Sequence, residues 1–155
     1  MRTRSIHVLS LSILVLAGPV RALEKVAEPV VAAQSARTGC TPSAQVMCLN
    51  QGRFQVETTW QDGTGRTGHG MVVPGGADDS GLFWFFKADN WEVLVKVLDG
   101  CAVNDHYWVF AAATTDVQYT LTVRDTQSTE TAQYTNPLGT AADAITDTGA
   151  FQTCP

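Results

Sequence analysis

SGLFWFFKADNWEVLVKVLDGCAVNDHYWVF, residues 80–110, decides the fold. It carries Trp84, Trp91 and Trp108, three of the chain's four tryptophans, and four of its six phenylalanines. Leu82 to Phe86 is apolar throughout, the pattern of a strand that meets something on both faces. Lys87-Ala88-Asp89-Asn90 reads as a hairpin loop. Trp91 to Leu98 then alternates. Trp91, Val93, Val95 and Val97 share one face, which the pattern turns inward, so the Trp91 ring is expected in the core. Glu92, Leu94, Lys96 and Leu98 share the other face, which is half apolar. Asp99-Gly100 turns the chain, and Cys101 to Asp105 completes the loop. His106 to Ala113 is mostly apolar on both faces, as a central strand is.

Outward from this segment the same period of two recurs. Phe54, Val56, Thr58 and Trp60 alternate with Gln55, Glu57 and Thr59. Val117, Tyr119, Leu121 and Val123 alternate with Gln118, Thr120, Thr122 and Arg124. Gly70 to Val73 is a short strand, and Thr131 to Thr135 a polar one suited to an edge. Pro137 ends it, since proline cannot donate to a ladder. Ala141 to Ile145 reads as a helical turn, and Thr146 to Phe151 equally well as extended chain. No segment sustains a helical period. Seven or eight short strands spaced by turn signals predict an all-β fold, an antiparallel β-sandwich stapled by disulfides. The hairpins from Leu82 to Thr135 read as one continuous meander.

Residues 1–22 read as a signal peptide. Arg2 and Arg4 precede an apolar run from Val8 to Ala17, and Val20-Arg21-Ala22 suits cleavage after Ala22. The run is too short for a membrane span of about 20 residues, so no span is expected after cleavage. Residues 23–38 read as a flexible linker, and 39–155 as the β-domain. Without Arg2, Arg4 and Arg21, seven basic side chains face fifteen acidic ones. That balance speaks against nucleic acid and anionic membranes as partners, which need basic patches.

Cys40, Cys48, Cys101 and Cys154 form an even set, which in an exported chain reads as a disulfide framework. Three connectivities are open. Cys40–Cys48 with Cys101–Cys154 is favoured, the first closing a local loop and the second tying the C-terminal tail to the central sheet. On the chain-entropy model a loop of about fifty residues is worth ~4 kcal/mol. A zinc site is disfavoured by the absence of any Cys-x-x-Cys pair.

The runs CLNQGRFQVETTW, DSGLFWFF, NWEVLVKVLDGCAVNDHYWVFAAATTDVQYTLTV, NPLG and AITDTGAFQTCP, between Cys48 and Pro155, resemble an exported bacterial β-domain. Members of that family stand alone or near the C-terminus of larger extracellular proteins. The resemblance implies an accessory role beside catalytic or adhesive modules, and it carries over no catalytic residue.

Candidate chemistry is sparse. Asp79-Ser80-Gly81 has a superficial likeness to a hydrolase nucleophile turn, but its flanks, Asp78 and Leu82, and the nearby His69 do not fit a triad. His69 and His106 are the candidate metal histidines. Acidic turn residues, among them Asp62, Asp78, Asp79, Asp99 and Asp125, would suit calcium, a cation of six to eight oxygen ligands. Turn chemistry explains the same residues. Otherwise no cofactor is expected. The aromatic set Trp84, Phe86, Trp91, Tyr107 and Trp108 can stack on sugars or fill a partner's pocket, and Trp84, Phe86 and Tyr107 are the candidate ligand face. The expectation is a non-enzymatic binding or accessory module, periplasmic or extracellular, whose partner is an extracellular protein or glycan. The alternative is a stabilising domain without a specific ligand, and a hydrolase comes last.

Overall fold

The computed structural model of the protein describes residues 39–155. The signal-peptide and linker assignments, 1–22 and 23–38, lie outside the described residues. Three strands come first: β1 (Met47–Leu49), β2 (Phe54–Gln61) and β3 (Thr67–His69). Four follow, β4 (Met71–Val72), β5 (Ser80–Trp84), β6 (Trp91–Asp99) and β7 (Tyr107–Ala113), with a one-turn helix α1 (Cys101–Asn104) before β7. Then come β8 (Gln118–Asp125), β9 (Thr131–Asn136) and β10 (Ile145–Phe151).

These strands form two five-stranded antiparallel sheets. In sheet A the order is β1-β2-β8-β9, with β3 also paired to β2. In sheet B it is β10-β7-β6-β5-β4. The expected all-β sandwich is therefore present, with ten strands among the described residues rather than seven or eight. The additions are short. β1 folds back on β2 through Asn50 and Gln51, both at positive φ, and Gly52. β3 pairs with the far end of β2, where Gly68 lies opposite Trp60. A Cβ on Gly68 would stand 2.6 Å from the Trp60 ring, so the glycine is what lets the indole lie across β3.

The meander is interrupted. β4 to β7 follow one another across sheet B, but Thr114–Val117 then carries the chain to sheet A for the β8–β9 hairpin. Apolar runs do not distinguish a hairpin turn from a crossing between sheets, because both partners of the crossing are amphipathic. The helical turn expected at Ala141 to Ile145 is absent, and β10 starts at Ile145 instead. The helix that does form, α1, lies in the segment expected as loop.

The core is where the inner faces meet. Phe54, Val56, Leu121 and Val123 from sheet A and Phe83, Val93, Val95, Val97, Val109 and Phe151 from sheet B are fully buried. Phe54 touches the Tyr107 and Phe151 rings at 5.0 and 5.2 Å between centroids. At one end a polar lock joins both sheets and the tail. Arg53 donates to Asp125 Oδ2 (2.8 Å), to the Tyr107 hydroxyl (2.8 Å) and to Thr153, and its guanidinium lies 4.3 Å from the Tyr107 ring centre. Burial alone would raise the Asp125 pKa, but hydrogen bonds from Arg53, Thr153 and the Gln127 N–H, with the Arg53 charge, hold it below the ordinary carboxylate value. The Cys101–Cys154 disulfide fastens the same tail, and Cys40–Cys48 closes the N-terminal loop, as the favoured pairing has it.

One expectation about the core is overturned. Trp91 is 54% exposed. The register slips between Phe83↔Val93 and Trp84↔Trp91, so Glu92 is the extra residue of a β-bulge. Glu92 and Val93 are both buried, and the alternation restarts one residue out of step. Trp91 thereby leaves the Val93 face and lies opposite Trp84.

Candidate functional site

The two outer faces of the sandwich differ in chemistry. On sheet A the outward side chains follow from the buried alternation of β2, β8 and β9. Cross-strand neighbours there are Glu57, Thr122 and Gln133 in one row and Thr59, Thr120 and Thr135 in the next. That face is polar, as the solvated side of an antiparallel sheet is.

Across β5, β6 and β7 the outer face of sheet B is largely apolar, and Thr146 of β10 lies opposite Phe110 at its edge. Leu82, Leu94 and Ala112 form one row across β5, β6 and β7. Ser80, Lys96 and Phe110 form a second, and Leu98 lies opposite Trp108. Met71, Trp84 and Trp91 complete the upper edge. Leu94 is 40% exposed, and Leu82, Trp84, Leu98, Trp108 and Phe110 are half-buried, shielded by one another. Strand spacing of about 4.8 Å and rise of about 3.4 Å give this patch roughly 15 by 20 Å. Exposed apolar patches of several hundred Å² mark interaction surfaces.

Local structure fixes the rings. The Trp108 Nε1–H donates to Asn104 Oδ1 (2.7 Å) in α1, and the indole lies over Gly100, where a Cβ would come within 2.2 Å of it. Phe110 meets Trp108 edge-on at 6.3 Å. The Trp91 Nε1–H donates to the Ala88 carbonyl at 3.1 Å, hooking that ring onto the β5–β6 loop. Held rings lose little side-chain entropy when a partner covers them. Lys96 stands alone among these apolar groups. The ion pairs of the described residues are Arg53–Asp125 and Arg66–Asp62, and neither involves it.

The candidate ligand face of Trp84, Phe86 and Tyr107 does not form one surface. Trp84 lies on the apolar face of sheet B. Phe86 lies beyond the end of β5, 40% exposed, edge-on to Trp60 at 4.8 Å between ring centres. Tyr107 points into the core, 6% exposed, its hydroxyl accepting from Arg53. A run apolar on both faces does not say which face is the core. The ladder settles it for β7, because Tyr107 shares the buried set with Val109 and Ala111. Leu82, Leu94, Lys96 and Phe110 complete the face that sequence reasoning built on aromatics alone. The half-apolar alternation of Leu94, Lys96 and Leu98 was the available signal.

The acidic turns hold their own loops. Asp62 accepts from the Thr64 hydroxyl (2.7 Å) and from Arg66 Nε (2.7 Å), which keep its carboxyl far below the usual range. Asp78 accepts from the Gln51 N–H, and Asp99 from the Cys101 N–H. Among the described residues no three His, Cys, Asp or Glu side chains gather as a metal-holding group. His69 sits in β3 of sheet A and His106 next to β7 of sheet B. The Ser80 hydroxyl donates to Asp79 Oδ1 at 2.9 Å. No helix of the described residues is long and apolar enough to cross a membrane. Comparison with protein-family models, with curated proteins and with solved structures finds no match for this chain.

Proposed function

We propose that the protein is an exported, non-enzymatic β-sandwich that serves as a binding module, docking another extracellular or periplasmic protein on the outer face of sheet B. The observation that carries the reading is the asymmetry of the sandwich: a polar outer face on sheet A and an aromatic–aliphatic one on sheet B. Leu82, Leu94, Leu98 and Ala112 favour a protein surface over a glycan. Sugar hydroxyls need hydrogen-bonding groups set between aromatic planes, and the rows across β5, β6 and β7 supply few, Ser80 and Lys96 beside Leu82, Leu94, Leu98 and Ala112. Lys96 gives the partner's chemistry a second feature, an acidic side chain set among apolar ones. Two disulfides fit an oxidising compartment, which supports the export reading.

Capture from culture supernatant and envelope fractions of the source tests this, with three baits compared. The unmodified protein retains a partner. Leu94→Glu, a charge placed in the centre of the apolar face, loses it. Thr122→Glu, the same change on sheet A, keeps it. Equal retention by all three baits would remove the docking face.

A further inference from the structure

Three carboxyl groups are buried among the described residues: Asp62, Glu92 and Asp125, at 8%, 6% and 0% exposure. A buried carboxylate is costly without a counter-charge. Asp125 has Arg53 and Asp62 has Arg66. Among the described residues Glu92 has no basic side chain against it. Its Oε1 accepts one hydrogen bond, from Asn90 Nδ2 at 2.6 Å. Burial raises its pKa, offset in part by the Thr115 hydroxyl beside it.

The bulge that displaced Trp91 is what turns Glu92 inward, and it turns it into a cleft. About 550 Å³ of open space lies between the β5–β6 loop, the Thr114–Val117 crossing and Ala141–Ala142. Glu92 and Asn90 line it, Asp116 adds a second carboxyl, and among the described residues no Lys, Arg or His lines it. Phe86 supplies an aromatic wall, backed edge-on by Trp60. A buried acid and an exposed ring in one concavity suit a single class of ligand, a weakly hydrated organic cation. Guanidinium is planar, stacks on aromatic faces and offers paired donors to a carboxylate, whereas an ammonium is strongly hydrated. Hard metal cations ask for six to eight oxygens, and no such acidic group forms among the described residues.

We propose that this cleft receives the guanidinium of an arginine side chain presented by a peptide or protein, with Glu92 as its counter-ion and Phe86 as its stacking surface. The site is separate from the outer face of sheet B and stands or falls without it.

The test is titration of the oxidised protein with N-acetyl-arginine amide, followed by the amide NMR signals of Asn90, Thr115 and Ala142. The neutral isostere N-acetyl-citrulline amide and N-acetyl-lysine amide serve as comparisons. Shifts at the cleft with the arginine compound, none with citrulline amide and weaker ones with lysine amide are expected. Glu92→Gln should weaken the arginine compound at least about tenfold. That variant removes a buried charge, so its urea midpoint should hold or rise. Phe86→Leu, which keeps Glu92, should weaken binding about threefold and carries the comparison if Glu92→Gln does not fold. Absent shifts, equal shifts with citrulline amide, or unchanged affinity in Glu92→Gln would overturn the site. Equal binding of lysine amide would overturn its preference for guanidinium.

Discussion

One inserted residue, Glu92, decides what Trp91 does. Without the bulge the indole would join Val93, Val95 and Val97 in the core, and its truncation would cost ~3–5 kcal/mol. With it, Trp91→Ala should shift stability by about 1 kcal/mol or less, as surface changes do. Phe83→Ala, by contrast, empties a fully buried site and should cost ~3–5 kcal/mol. A pair of urea curves distinguishes these outcomes. Thr58 offers a second test. Its buried hydroxyl has no hydrogen-bond partner among the described residues and is pressed between Gly70 and the core. Thr58→Val replaces that group with a methyl of the same shape, and should stabilise by roughly 1 kcal/mol. A loss of stability would mean that the hydroxyl has a partner. The inward residues of β2 and β8 were legible in the sequence, because their alternation is unbroken. Trp91 was not, because a bulge leaves no mark in composition and shifts every residue beyond it.

The elements are held by different means at different places. Cys101–Cys154 spans 53 positions and ties the tail after β10 to α1, whereas Cys40–Cys48 spans 8. Chain entropy therefore predicts a larger loss for Cys101→Ser than for Cys40→Ser, by about 1–2 kcal/mol. The reverse order in urea unfolding would show that strain or local packing governs instead. Beside the long disulfide, the Arg53–Asp125 lock predicts a pH dependence. The folded pKa of Asp125 lies below its unfolded value of 3.8, so its contribution is fully present above that value and is lost as pH falls through the folded one. Asp125→Asn should lower stability at pH 6 and flatten the acid limb. An acid limb as steep in the variant as in the parent would place the sensitivity elsewhere. The cysteines and strong strands showed in the sequence. β1 and β3, at three residues each, are too short to show a period, and the crossing at Thr114–Val117 has the same polar, turn-like residues as a hairpin.

Across residues 39–155, the sandwich encloses its core and still leaves a second apolar layer on one side. Phe83, Val93, Val95 and Val109 fill the inside of sheet B, so Leu82, Leu94 and Phe110 are not needed there. The doubly apolar character of Leu82 to Phe86 showed in the sequence that something covers this strand twice. It did not show that the outward half extends across β6 and β7, because that depends on register. This face should be open in the isolated protein and closed in its complex. Carbene footprinting read by mass spectrometry measures both states. Trp84, Leu94 and Phe110 should be labelled in the free protein and protected once the captured partner is bound, with Thr122 and Gln133 unchanged. Protection of Leu94 already present in the isolated monomer, or equal labelling with and without partner, would contradict it.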